Sequence, residues 1–328
     1  MELTKAPRSV IVIVGCPRSG TTLMRSVLRN HPAVNVFGNE PHYLRELYKQ
    51  CGNKIEDVNE ALRFVLASSK FRPNWVEPRL ILSAYEGRSE ITFSEFFYIF
   101  FGLYFEEFEE RPLVIKDPRM ILSLDSIQST FCRSDVKVIH VIRDPRAVVS
   151  SITARWRGRS VLSASLDWRG SIRSGHRWQR ENLSSYFEIR YDDIVVESEK
   201  YVKQVCDFLG LQFHSCLLDV SYKLKTWDSN ADGPAKEKEF NSFDSSRHFK
   251  WRSGLTDTEV KIIERTCNLE MEKYCYPLVN AKVNEAEYAL RYVRELSAYA
   301  KTQLGKSMLR QQRRVATIFR KKFGNVYL

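Results

Sequence analysis

A run of five β-branched residues, Val10–Val14, passes without a break into Gly15-Cys16-Pro17-Arg18-Ser19-Gly20-Thr21-Thr22 and then into a helical pattern that ends near Arg29. Strand, glycine-bounded loop and helix, in that order, aim backbone N–H groups and a helix N-terminus at one point, which is the geometry of a phosphate site. Gly15 and Gly20 let the backbone curl around oxygen atoms with no Cβ in the way. Thr21 and Thr22 add hydroxyl donors at the helix start, beside Ser19. A Walker A loop would carry lysine at position 21, where threonine stands instead, and the cation is Arg18 inside the loop. A P-loop kinase acting on a small molecule would use that lysine with Mg²⁺ to handle a triphosphate. The displaced cation suits a ligand with a different arrangement of charge.

Three further apolar runs, Leu113–Ile115, Val136–Ile142 and Phe187–Tyr191, read as buried strands separated by helical patterns. This alternation predicts an α/β fold, a P-loop-type parallel β-sheet with helices on both faces. Helices are expected at Ser198–Leu209, stopped by Gly210, and at Asp257–Tyr274, where Thr256 and Glu259 form a capping box. Residues 93–108 hold nine Phe or Tyr in sixteen positions. As a helix that segment is apolar nearly all round, so it is either core or the wall of a hydrophobic cavity.

The chain has 328 residues, 43% of them hydrophobic, and a net charge of +11, which excludes global disorder and favours an anionic partner. Its seven scattered cysteines contain no CxxC pair, so neither a zinc ribbon nor a thioredoxin-like site is indicated, and a reducing, cytoplasmic compartment is expected. No apolar stretch reaches transmembrane length. Of the +11, +7 lies in residues 284–328, with ten Lys or Arg against three Glu. The organisation predicted is an α/β domain over 1–283 with a basic amphipathic helical tail over 284–328. Such a tail can lie on an anionic membrane surface, dock on a partner or pack back onto its own domain. With the charge gathered in one tail and no RNA- or DNA-reading motif, no nucleic-acid partner is expected.

The fullest strand ends in Arg143-Asp144-Pro145-Arg146 and a helical pattern over Ala147–Trp156. Arg143 therefore stands at the carboxyl end of a parallel strand, where such sheets bind ligands. Ser151 lies eight residues on, and Arg155 follows it by four, on the same helix face. An arginine, a hydroxyl and a second arginine make a second phosphate clamp. Two anion sites on neighbouring strand ends imply a ligand with two separated phosphate groups. Lys116, directly after Leu113–Ile115, emerges at another strand end.

With these residues in view the sequence resembles the sulfotransferases that use 3′-phosphoadenosine 5′-phosphosulfate (PAPS), most nearly the tyrosylprotein, carbohydrate and bacterial branch. Pro17–Thr22 looks like the family's 5′-phosphosulfate motif, and Arg143 with Ser151 matches its 3′-phosphate motif. The resemblance covers roughly residues 10–277. It implies PAPS as donor and no metal, with Arg18, Ser19, Gly20, Thr21, Thr22, Arg143, Ser151, Arg155, Tyr191 and Lys250 as cofactor contacts. It also implies Glu40, in Gly38-Asn39-Glu40-Pro41, as the catalytic base. Glu40 stands about one residue further from the loop than in the tyrosyl branch. That branch's catalytic serine has no single counterpart among Ser242, Ser245 and Ser246. The Glu-Pro pair resembles carbohydrate sulfotransferases, and no signal-anchor precedes the domain, which points away from the Golgi.

The chemistry expected is transfer of a sulfuryl group to a hydroxyl of a carbohydrate, glycolipid, lipid or other small molecule. A carboxylate should take the acceptor's proton, and Arg18 and Lys116 should stabilise charge growing on the leaving phosphate. No role follows for His42 from its place near Glu40. The rival readings are the P-loop kinase and a non-catalytic nucleotide- or membrane-binding module built around the tail.

Overall fold

The computed structural model describes residues 6–68, 76–105, 107–156, 158–220 and 243–323. The chain divides into two compact units, one of Met1–Asp144 with Gly170–His248 and one of Pro145–Arg169 with Phe249–Leu328.

The first unit is built on five parallel strands: β1 (Ser9–Val14), β2 (Asn35–Val36), β3 (Leu113–Lys116), β4 (Asp135–Ile142) and β5 (Tyr186–Arg190), in spatial order β2-β3-β1-β4-β5. Strands in a parallel sheet are covered on both faces, so their side chains alternate between two apolar environments rather than between oil and water. Val10, Val12 and Val14 of β1 join one core with Leu113, Ile115 and Val138, while Ile11 and Ile13 join another with Val114, Ile139 and Val141. The second of these cores is closed by α1 (Thr21–Arg29), whose Leu23, Met24, Val27 and Leu28 recur at helical spacing on one face.

The other face receives the aromatic segment. Its helix, α3 (Phe93–Gly102), follows α2 (His42–Cys51) in the chain and opens with a capping box formed by Thr92 and Glu95. Phe96, Tyr98, Phe100 and Phe101 are fully buried, and Phe97 meets Phe131 edge-on at 4.8 Å between ring centroids. Of the two expectations for residues 93–108, core helix and cavity wall, the packing is that of a core. The helix ends at Gly102, short of the full aromatic run.

In the second unit, α4 (Pro145–Arg155) packs with α7 (Asp257–Lys273); of the helices between them in the chain, α5 (Val161–Gln179) begins in this unit and α6 (Ser198–Leu209) belongs to the first. Thr256 and Glu259 form the expected capping box at the start of α7, and Gly210, at φ 67°, ends α6. Arg146 is the polar centre of this unit. It is buried, donates to Glu264 at 2.8 Å and to the Pro277 carbonyl at 2.9 Å, and its guanidinium lies 4.4 Å from the Trp251 ring centroid. Removing one partner of a buried ion pair strands the other charge away from water. Arg146→Ala is therefore expected to cost about 3–5 kcal/mol of stability in urea denaturation; a loss under about 1 kcal/mol would show that Glu264 finds another partner. A final helix, α8, runs over Glu285–Phe323.

Candidate active site

Every strand of the sheet leads into a site residue at its carboxyl end. After β1 the loop turns through positive φ at Gly15 (152°), Arg18 (78°) and Gly20 (104°). Two of these turns have no room for a side chain. A Cβ on Gly15 would meet the Val141 carbonyl oxygen at 2.5 Å, and one on Gly20 would meet the Tyr191 ring at 2.3 Å. Gly20 is the N-cap of α1, with no side-chain cap and no acidic residue in the first turn, so the positive end of the helix faces the loop uncompensated. Ser19 is 1% exposed, and its Oγ has no hydrogen-bond partner among the described residues. A buried hydroxyl at an uncapped helix start fits an anionic oxygen held in the loop.

The ends of β4 and β5 close the other side of this loop. Arg143, just past β4, sets its guanidinium 4.2 Å from the centroid of the Tyr191 ring, and its Nη1 donates to the Arg18 carbonyl at 3.4 Å. Tyr191 follows β5 and opens the short helix Tyr191–Val196. The loop, Arg143 and Tyr191, read from three separate stretches of sequence, thus meet at one place.

The ends of β2 and β3 bring a carboxylate and an ammonium together. Arg25, buried on α1, donates to the Gly38 carbonyl and ties the segment after β2 to the loop's own helix. Two residues on, Glu40 forms an ion pair with Lys116, the last residue of β3. Lys116 Nζ also reaches Thr22 Oγ1 at 3.4 Å, so the carboxylate and the ammonium stand beside the start of α1. Behind them the charges continue in a chain. His42 Nε2 lies 2.7 Å from Glu40 Oε2, His42 Nδ1 lies 3.0 Å from Asp117 Oδ2, and Arg45 donates to both Asp117 oxygens at 3.0 Å. Asp117 is fully buried.

Burial by itself would raise the Glu40 pKa, but the Lys116 ammonium and then His42 overcome it and hold the carboxyl well below the usual carboxylate range. Burial opposes charge on His42 as well, yet the carboxylates of Asp117 and Glu40 push its pKa up to about 9. Burial lowers the Lys116 pKa, with Arg25 adding to the effect against the pull of Glu40. His42 carries no role in the sequence reading. Its signal is spatial, since its second carboxylate partner lies 75 positions away in the chain.

The chain matches the family described as "Sulfotransferase family" over residues 10–215. It belongs to the sulfotransferase family. The sulfotransferase is 25% identical over 217 residues to a "Putative protein-tyrosine sulfotransferase" of Caenorhabditis briggsae, a match covering 64% of this chain and 68% of that protein. It is also 25% identical over 196 residues to "Carbohydrate sulfotransferase 1" of Danio rerio, covering 53% of this chain but 43% of the fish protein. In fold it is similar to the sulfotransferase domain of the Synechococcus PCC 7002 olefin synthase, with a TM-score of 0.55, 23% identity, and coverage of 84% of this chain and 97% of that one.

The remaining predicted residues of the sulfotransferase sit elsewhere in the chain. Ser151 and Arg155 lie one helical turn apart on α4, and Arg155 places its guanidinium 5.9 Å from the Trp156 ring centroid. Lys250 is exposed at the N-cap of the short helix Trp251–Gly254. All three belong to the second unit. Of the candidate serines, Ser246 donates to Asp244 at 2.5 Å, and Ser242 lies outside the described residues. Among the described residues no cluster of His, Cys, Asp and Glu has the arrangement of a metal site, and no helix is long and apolar enough to cross a membrane.

The raised His42 pKa has a consequence for stability. Its folded value of about 9 exceeds the unfolded one near 6.5, so the charged imidazolium contributes stability in full below about pH 6.5 and loses it as pH rises through about 9. The melting temperature of the wild type, compared with that of His42→Asn, is expected to show a gap that closes across this window. A gap that stays constant with pH would mean that His42 is not charged between its two carboxylates.

Proposed function

We propose that this sulfotransferase takes its sulfuryl group from PAPS and delivers it to a hydroxyl of a carbohydrate or other hydroxylated acceptor, with Glu40 as general base. One observation carries the reading: Lys116 joins Glu40 to Thr22, so a carboxylate stands at the helix N-terminus that ends the phosphate loop. Bound at that loop, the donor supplies an activated sulfuryl group. Ser19, Thr21, Thr22 and the loop backbone hold its 5′ anionic end. Arg143 and Tyr191 stand beside the same loop, as the grip on the nucleotide requires. Ser151, Arg155 and Lys250 carry their assignment to the nucleotide from sequence motif. The acceptor classes come from what the relatives are named for, tyrosine in protein and carbohydrate.

In the mechanism Glu40 accepts the acceptor's proton as the new S–O bond forms. A carboxyl held this far below its ordinary range is a weak base, so the Lys116 ion pair must loosen before the proton moves. Thr22 Oγ1 marks the direction in which Lys116 turns, toward the loop, where its charge and that of Arg18 offset the negative charge growing on the leaving phosphate. His42, backed by Asp117, keeps the Glu40 carboxylate in place while Lys116 lets go.

The test is calorimetric. Adenosine 3′,5′-bisphosphate is expected to bind at least about tenfold more tightly than AMP, since the second phosphate gains charge-assisted hydrogen bonds that AMP lacks. Equal affinities would remove the 3′-phosphate site and with it PAPS as donor.

A further inference from the structure

The last helix leaves the fold part-way along its length. In its first half α8 packs by one face: Tyr288 and Glu295 are buried, Tyr292 and Tyr299 are half-buried, and the Leu162 N–H donates to the Glu295 carboxylate at 3.2 Å. This is the i, i+4, i+7, i+11 stripe of a helix laid against its own unit. The opposite face is apolar yet open to solvent, with Leu290 56%, Val293 61% and Leu304 64% exposed, and Leu296 exposed beside them. After Tyr299 the packing stops. Residues 300–304 and Ser307 are all exposed, while the helix continues to Phe323.

Its composition changes at the same place. Residues 296–323 contain eight Lys or Arg and no Asp or Glu. That stretch can form no acid–base pairs along its own surface, and like charges at helical spacing repel. A helix without internal ion pairs is marginal by itself. An outward apolar stripe, followed along the same helix by eight cations and no acidic residue, has the composition of an interfacial helix.

We propose that the Leu290–Leu304 stripe and the basic stretch after it bind this protein to the surface of an anionic lipid bilayer, with α8 lying in the interface. The apolar stripe enters the headgroup boundary, and the eight cations are drawn to anionic headgroups. This inference stands apart from the sulfuryl-transfer reading and uses none of its residues.

Flotation of the full chain with vesicles tests it. The protein is expected to float with vesicles of phosphatidylcholine and phosphatidylglycerol and not with phosphatidylcholine alone. Binding should fall about tenfold or more between roughly 0.05 M and 0.5 M salt. The triple variant Leu290→Ser, Val293→Ser, Leu304→Ser changes exposed side chains alone, so its circular dichroism should match the wild type while its vesicle binding drops about tenfold or more. Wild-type-like flotation by this variant, equal binding to neutral vesicles, or no flotation at all would overturn the proposal. So would a wild-type dimer in gel filtration that the variant loses, because a second copy of the chain would then be what covers the stripe.

Discussion

Glu40→Gln is expected to reduce sulfuryl transfer by about 10²–10⁴-fold while leaving the affinity for adenosine 3′,5′-bisphosphate within roughly threefold of wild type. The amide keeps the size of the carboxyl and its contact with Lys116, but it cannot accept the acceptor's proton. The loss should fall on kcat, because the proton moves during bond formation and not on binding. Glu40 is held in the charged chain by Lys116 on one side and His42 on the other, so the substitution does not expose the loop. Turnover within a few-fold of wild type, measured with labelled donor and an accepted hydroxyl substrate, would take Glu40 out of the mechanism.

Lys116→Met is expected to cut kcat by about 10²–10³-fold through loss of the fixed cation beside the leaving oxygen. Two effects of this substitution oppose each other. Without the ammonium the Glu40 pKa rises toward its ordinary value, which makes it a stronger base. The site also loses charge at the point where negative charge develops, and in a buried site that loss is the larger. The pH profile separates the two effects. Relative to wild type, the variant's acid limb should move to higher pH as Glu40 returns toward the carboxylate range, even as the plateau falls. An unchanged plateau would show that Arg18 and the loop backbone stabilise the leaving group without help from Lys116.

Much of this site is legible in the chain because it is contiguous. Residues 15–22 hold loop, glycines, cation and hydroxyls in one stretch, and strand propensity on one side with helix propensity on the other compels the turn between them. The same holds for Arg143 and Lys116, each at the end of an apolar run whose length and β-branching announce a buried strand. The helix stops at Gly210 and the capping box at Thr256 are local in the same sense, set by backbone conformation within a few residues. Alternation along β1 is legible only as burial on two faces; which residues fill those faces is not.

What the order of residues could not reveal is partnership at long range. That Asp117 receives Arg45 and His42, that Arg146 is buried against Glu264, and that the aromatic run at 93–108 is core all depend on which elements the tertiary fold brings together. A charged side chain near a motif reads the same in sequence whether it will meet a carboxylate or water. The sequence alone determined the phosphate loop, the parallel sheet and the strand-end cations, because these follow from local backbone preference and apolar periodicity. Only the tertiary structure decided that Glu40 would stand between Lys116 and His42, because desolvation and Coulomb attraction act between groups whose distance the chain order does not set.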